Sequence, residues 1–142
     1  MYGSLEISTS GMIAQRTRLE AYTSNIANAA TFTDALGRNI PYARREVFVS
    51  AGAPGSRFGG RESGGGDRLG VRVAAIGRDS THQVRHEPSN PLADEAGYVK
   101  YPNINPVFEQ MNAYDAMRAY EANLAAAEAS KAMMAQALRL IA

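Results

Sequence analysis

The chain has 142 residues and a formal net charge of only +1, with 15 basic and 14 acidic residues mixed along its length. This balance argues against nucleic-acid binding or an anionic membrane surface, because both kinds of partner are recognised through clustered cationic side chains. The absence of cysteine excludes disulfides, thiolate zinc sites and cysteine nucleophiles. No uncharged apolar run approaches the about 20 residues that a membrane-spanning helix needs, so membrane insertion is not expected.

The first predicted element is a helix from Ser4 to about Ala29. Large apolar residues mark one face at seven-residue intervals: Leu5, Met12, Leu19 and Ile26. The segment 8–11, with three hydroxyl residues and Gly11, is a poor helix former, since glycine inside a helix costs about 1 kcal/mol relative to alanine. This helix is therefore expected to depend on packing against another element, and the C-terminal helix is the obvious partner.

The middle of the chain, residues 31–102, is predicted to be a small β-rich insert. Turn residues at 34–37 and Pro41 end the helical pattern, and Tyr42 to Val49 has the aromatic and β-branched content of a strand. Shorter strands are expected at 69–76, 83–86 and 98–101, with a turn at 94–97 before the last of them. Glycines recur from Gly52 to Gly70 and predict a flexible loop, because the Gly-Lys-Ser/Thr of a phosphate-binding loop does not follow.

The last predicted element is a helix that runs from Pro106 to the C-terminus. Asn105 is a good N-cap, and Pro106 has the fixed φ of a first helical position. Its heptad seam consists of Ala113, Met117, Tyr120, Leu124, Ala127, Lys131, Met134, Leu138 and Ile141. A line of three polar residues, Asn112, Asn123 and Ser130, separates this seam from a second face of smaller residues. At about 1.5 Å per residue the helix would be roughly 50 Å long, so an elongated chain is expected.

The fold class predicted from these elements is mainly α with a small β insert, an α+β chain whose terminal helices pair as a coiled-coil-like hairpin. Residues 1–30 and 103–142 would form the helical domain, and residues 31–102 the insert with its glycine-rich loop at 52–70. Packing and assembly are expected to rest on the large seam residues of the two helices: Leu5, Met12, Leu19, Ile26, Met117, Tyr120, Leu124, Met134, Leu138 and Ile141.

No residue set predicts catalysis or a cofactor. His82 and His86 have the i, i+4 spacing of helical zinc ligands, but the surrounding sequence is extended, and strand spacing would hold the two rings far apart. The alternative from a different functional class is a small metal-dependent hydrolase that uses His82, His86 and nearby carboxylates. A binding or structural role is favoured over an enzyme.

Three stretches resemble the flagellar rod and hook protein family, and within it the proximal rod: SNIANAATFT from residue 24, NPLADEAGYVKYPNIN from residue 90, and MRAYEANLAAAEASKAMM from residue 117. The residues that match the family motifs are Ser24, Asn25, Ala27, Asn28, Thr31, Asn90, Pro91, Gly97, Tyr98, Pro102, Asn103, Glu121 and Asn123. Ala30 stands where the family usually has asparagine, and Pro106 where it usually has an aliphatic residue.

This resemblance implies a structural subunit of the bacterial flagellar basal-body proximal rod. Such a subunit would polymerise helically through its terminal helices, with itself and with rod proteins of the FlgB, FlgF, FlgG and FliE type, and would transmit torque across the periplasm. It would be exported unfolded by the flagellar type III apparatus without a cleaved signal peptide, and the N-terminus indeed lacks the pattern of a conventional secretory signal. Another rod subunit such as FlgB is the alternative within the family.

Overall fold

The computed structural model describes residues 2–52 and 70–141, and it confirms the predicted order of helix, strands and longer helix. The elements are α1, Tyr2–Ala27; β1, Arg44–Ala51; β2, Val71–Asp79; β3, His82–His86; β4, Tyr98–Pro102; and α2, Pro106–Ile141. The strands form two separate antiparallel pairs, β1 with β2 and β3 with β4. The predicted glycine-rich loop lies outside the described residues except at its ends. No helix within 2–52 or 70–141 is long and apolar enough to cross a membrane.

Helices α1 and α2 pack antiparallel along a line of small residues. The buried apolar side chains of this interface are all alanines: Ala14, Ala21, Ala116 and Ala127. Gly11 is also buried, and a Cβ atom added there would lie 2.6 Å from the Asn123 Oδ1 atom. Glycine suits the close approach of the helices here, because a side chain at this position would force the Asn123 side chain to move, and this offsets its unfavourable helix propensity.

Helix α2 is longer than α1, with 36 residues against 26. Asn25 contacts Glu109 at one end of the pair, and Gly11 faces Asn123 further along. Continuing this register places Tyr2 opposite Ala132. The last turns of α2, residues 133–141, therefore extend past the start of α1, and we call them the overhang.

The first sheet lies beside α1. The Ser10 hydroxyl accepts a hydrogen bond from the Val71 amide at 3.1 Å, and Asn25 bonds to the backbone of Arg45 at the other end of the sheet. A register shift between Phe48 and Val49 interrupts the ladder of β1 and β2. Segment 8–11, expected from sequence only to weaken the helix, thus supplies a contact to β2 through Ser10 and the close approach to α2 through Gly11.

Both predicted aspartate–glycine turns are present and share one geometry. In each, the amide of the glycine donates to the carbonyl of the aspartate three residues earlier, at 3.0 Å for Gly37 and 2.9 Å for Gly97. Both glycines have positive φ angles, 76° and 79°, a region that side chains with a Cβ disfavour. The second turn leads into β4, and Asn105 then caps α2 as predicted, its Oδ1 accepting from the Val107 amide at 3.0 Å.

Candidate assembly surface and its polar clasp

A cluster of polar side chains joins the end of α1, the start of β1 and the first turn of α2. We call this cluster the polar clasp, and its members are Ser24, Asn25, Tyr42, Arg44 and Glu109. Asn25 and Glu109 are almost fully buried, at 0% and 2% exposure. Buried polar groups are retained at little cost only when they are hydrogen-bonded, so each member needs its partners accounted for.

The Asn25 side chain bonds to β1 as a neighbouring strand would. Its Oδ1 accepts from the Arg45 amide at 2.8 Å, and its Nδ2 donates to the Arg45 carbonyl at 2.9 Å. The same Nδ2 donates to Glu109 Oε2 at 2.9 Å. The asparagine side chain thus uses its oxygen as an acceptor and its amide nitrogen as a donor in two bonds. An aspartate could not replace it, because it has no N–H to donate to the Arg45 carbonyl or to the Glu109 carboxylate.

The buried carboxylate of Glu109 is neutralised by Arg44. Its Oε1 accepts from Arg44 Nε at 2.8 Å, while Arg44 Nη1 donates to Glu46 Oε1 at 2.6 Å. Burial of the Arg44 guanidinium lowers its pKa, but the hydrogen bond and negative charge of Glu109 outweigh that effect and raise its pKa. Ser24 Oγ lies 3.0 Å from the Tyr42 hydroxyl and completes the clasp.

The other residues of the first family motif end α1 and turn the chain towards β1. Asn28 Nδ2 donates to the Ser24 carbonyl at 2.8 Å, and the Thr31 amide donates to the Asn28 carbonyl at 3.0 Å. The Tyr42 amide then donates to the Thr31 carbonyl at 3.0 Å, which brings the clasp tyrosine back to the helix end. Ala27 is exposed.

The second family motif surrounds the hairpin of β3 and β4. Glu87 Oε2 accepts from the Tyr101 hydroxyl at 2.9 Å and from Asn90 Nδ2 at 3.2 Å. Gly97, with its positive φ, immediately precedes β4, and the Tyr98 ring packs on that of His86 with centroids 5.0 Å apart. Further along, Pro102 is buried, Asn103 Nδ2 donates to Thr81 Oγ1 at 3.0 Å, and Pro91 and Glu121 are exposed.

The hydroxyl of Tyr101, followed by the amide of Asn90, lowers the pKa of the Glu87 carboxyl by hydrogen bonding to its charged form. A carboxyl with a lowered pKa in the folded state contributes stability above its unfolded pKa and loses it as the pH falls through the folded value. We therefore expect Tyr101→Phe to raise the Glu87 pKa and to reduce the loss of stability on acidification. An NMR pH titration of Glu87 measures this, and an unchanged pKa in the variant would contradict it.

Asn39 makes a contact of the same kind as Asn25, and sequence reasoning missed it. Its Oδ1 accepts from the Lys100 amide at 3.0 Å, and its Nδ2 donates to the Lys100 carbonyl at 3.2 Å. An asparagine side chain from outside the sheet thus hydrogen-bonds to the backbone of one strand in each sheet, Asn25 to β1 and Asn39 to β4. The only sequence signal is an asparagine next to a turn, and that position has many other uses.

The predicted packing residues fall into two groups in this chain. Part-buried are Leu5, Met12, Leu19, Ile26 and Met134. Exposed are Met117 at 40%, Tyr120 at 37%, Leu124 at 41% and Leu138 at 68%, and the side chain of Ile141 lies outside the described part. The face of α2 that packs on α1 is therefore the small and polar line that includes Ala116, Asn123 and Ala127, and most of the large residues stand free of it.

The exposed large residues of α2 leave apolar surface uncovered at several places along the helix. A groove between the helices is lined by Leu19, Ile26, Ala113, Tyr114 and Met117, and a second opening continues it towards Gln15, Arg16 and Tyr120. Further exposed apolar side chains lie at the start of α2 and in the overhang: Val107, Phe108, Met111, Met133, Leu138 and Leu140. Large exposed apolar patches are typical of protein–protein contacts.

The structure does not favour the metal-dependent hydrolase. His82 and His86 stand at the two ends of β3, and both are exposed. Within residues 2–52 and 70–141 no group of three or more histidines and carboxylates could hold a metal ion.

Replacing both histidines with alanine is expected to leave intact the flagellar role that the sequence resemblance implies. The only described ring contact that would be lost is that of His86 with Tyr98, worth about 1 kcal/mol at most for an exposed pair. Swimming in soft agar, with protein level checked by blotting, measures this. Non-motile cells with normal protein levels would contradict it and revive the metal hypothesis.

Comparison with known proteins gives the same family for both ends of the chain. A family model described as flagella basal body rod protein matches residues 5–31, and one described as flagellar basal body rod FlgEFG protein C-terminal matches residues 95–140. The flagellar basal-body rod protein FlgC of Salmonella typhimurium is 39% identical over 95% of this chain and 93% of its own length. The FlgC proteins of Bacillus subtilis and Borreliella burgdorferi are 35% and 32% identical and cover 98% and 99% of the chain and 97% of their own lengths.

Proposed function

Because this chain belongs to the FlgC family of flagellar basal-body rod proteins, we propose that it builds the proximal part of the rod as a helical polymer. Its role is that of a structural subunit. The terminal regions 1–30 and 103–142 form the inner, helical layer of the polymer, and the insert 31–102 lies outside it. The relatives compared above are FlgC proteins, which does not favour the alternative of another rod subunit such as FlgB.

The observation that carries this proposal is the apolar surface that the single chain leaves uncovered. Met117, Tyr120 and Leu124 are each about 40% exposed, and Leu138 in the overhang is 68% exposed. Burial in an assembly would gain about 25 cal/mol for each Å² of apolar surface. Because the overhang projects from one end of the helix pair and the groove lies along its side, contacts between copies would be heterologous. Contacts of this type build an open helical polymer when the rotation between copies does not close into a ring.

The partners that follow are further copies of this chain and the neighbouring rod proteins of the FlgB, FlgF, FlgG and FliE type. The subunit lies in the periplasmic rod and transmits torque through its terminal helices. It reaches that place unfolded through the flagellar type III export apparatus. The small apolar core of the helix pair supports this route, because a marginally packed chain is easily kept unfolded.

Electron microscopy of basal bodies tests the proposal. Cells that lack the chain are expected to form basal bodies without a complete rod and without a hook, and the intact gene should restore both. A deletion strain with complete rods would overturn the proposed role. Immunogold labelling of the complemented basal bodies should place the chain in the rod rather than in the hook or the membrane rings.

A further inference from the structure

The packing of α1 on α2 leaves the register of the two helices weakly defined. Its buried apolar side chains are alanines, and alanine recurs along α2 from Ala113 to Ala137. After a slip of one heptad, α2 would therefore still present alanines to α1. Large, interdigitating side chains normally prevent such a slip. Here most of the large residues of α2 are exposed, and Leu19 and Ile26 of α1 line the groove beside the interface.

Two polar contacts made directly between α1 and α2 are sensitive to register, and the ion pair of Arg44 with Glu109 joins α2 to β1 beside them. Asn25 donates to Glu109 at 2.9 Å, and Gly11 leaves the space that the Asn123 side chain fills. Gly11 and Asn25 are 14 residues apart in α1, and Asn123 and Glu109 are 14 residues apart in α2. The equal spacing, two heptads on each helix, means that both contacts are made together in one register only.

We propose that these two contacts select the register of the terminal helices. A one-heptad slip would place Asn25 against Ala116 in one direction and beyond the start of α2 in the other. In both slips Asn123 would face a residue with a side chain, Ser4 or Arg18, instead of Gly11. A buried polar pair that fixes register at some cost in stability is known from coiled coils, and Glu109 with Asn25 has that role here.

The register determines how far the overhang projects. One heptad of slip would move residues 133–141 by about 10 Å relative to α1 and to the sheet that α1 carries. If the overhang contacts neighbouring subunits, which rests on the proposed function, a mixed register would give subunits of unequal reach. The selected register thus provides every copy with the same geometry for assembly.

Pulsed electron spin resonance on the full chain measures the register directly. The chain has no cysteine of its own, so Thr23→Cys and Ala135→Cys, both at exposed positions, can carry the two spin labels. The labelled parent is expected to give one narrow distance. Asn25→Ala with Glu109→Ala is expected to add a second distance displaced by about 10 Å. Glu109→Gln, which keeps an acceptor for Asn25, should retain the single distance.

A second pair of substitutions tests the other contact without weakening either helix. Gly11→Ala with Asn123→Ala removes it and raises helix propensity at both positions, and it should also add the displaced distance. The control is Arg16→Ala with Glu20→Ala, which removes an ion pair whose side chains are 76% and 63% exposed, and its distance should not change.

Three results would overturn the proposal. The first is a broad distance distribution in the labelled parent, and the second is a single unchanged distance in both test variants. The third is loss of helical circular dichroism in the Asn25→Ala, Glu109→Ala chain, because that result would assign the polar clasp to stability instead of register. None of these measurements requires rod assembly, so they fail or succeed independently of the proposed function.

Discussion

Replacing Arg44 with alanine is expected to lower the free energy of unfolding by about 2 to 3 kcal/mol, the largest loss of stability from any single side-chain truncation in the polar clasp. Arg44 is the cation that neutralises Glu109, whose side chain is 2% exposed. Without it the carboxylate keeps only the Asn25 amide as a described side-chain donor. The expected loss lies below that of a fully buried pair, because the Arg44 side chain is itself 28% exposed and water can partly replace it.

Urea unfolding followed by circular dichroism measures this loss as a shift of the midpoint at constant slope. Arg16→Ala is the matched control, since its ion pair with Glu20 is exposed and should contribute no more than about 0.5 kcal/mol. Arg44→Met combined with Glu109→Met should recover most of the lost stability, because replacing both members of a buried pair removes the unpaired charge. Equal losses for Arg44→Ala and Arg16→Ala would show that the clasp is not a stabilising centre.

The regular elements could be predicted from local sequence because their determinants are local. Asn105 and Pro106 define the start of α2 within two residues, and the Asp94–Gly97 turn is specified by an aspartate oxygen and a glycine φ three residues apart. The predicted strands agree with the observed ones to within a few residues at their ends, where pairing with a partner strand decides the last residues.

The polar clasp could not be predicted in the same way, because its partners are distant in sequence. Asn25 and Glu109 are 84 residues apart. From sequence, Glu109 is recognisable only as a favourable charge in the first turn of a helix, and Asn25 only through the family motif. Its bond to β1 depends on the three-dimensional position of a strand edge, which the sequence pattern does not specify.

Gly11 shows how a local rule can point away from the structural role. Helix propensity predicts that this glycine weakens α1, and that cost is real. The structure gives the compensating reason, since glycine leaves room for the Asn123 side chain in its observed position. The large residues of α2 show a similar difference. The heptad rule selects them as the packing seam, whereas the contact with α1 uses small residues of α2.

Leu124→Asp is expected to block rod assembly while leaving the folded chain nearly as stable as before. Leu124 is 41% exposed and lies beside Tyr120 and Met117 on the apolar surface that the single chain leaves uncovered. In an assembly the aspartate would forgo about 1 kcal/mol of apolar burial, and the larger cost of desolvating an unpaired carboxylate would be added. Because every subunit of a polymer carries the change, the penalty recurs at each contact.

Electron microscopy of isolated basal bodies, with secreted and cell-associated protein quantified by blotting, separates a failure of assembly from a failure of export. Leu36→Asp is the matched control, since it makes the same substitution at a leucine that is 76% exposed and belongs to the turn at 34–37, outside both helices. Glu128→Ala, one turn along α2 from Leu124, should also leave rods intact. Complete rods built from the Leu124→Asp chain would mean that this face of α2 meets solvent in the polymer, and the packing residues proposed for assembly would have to be sought on another surface.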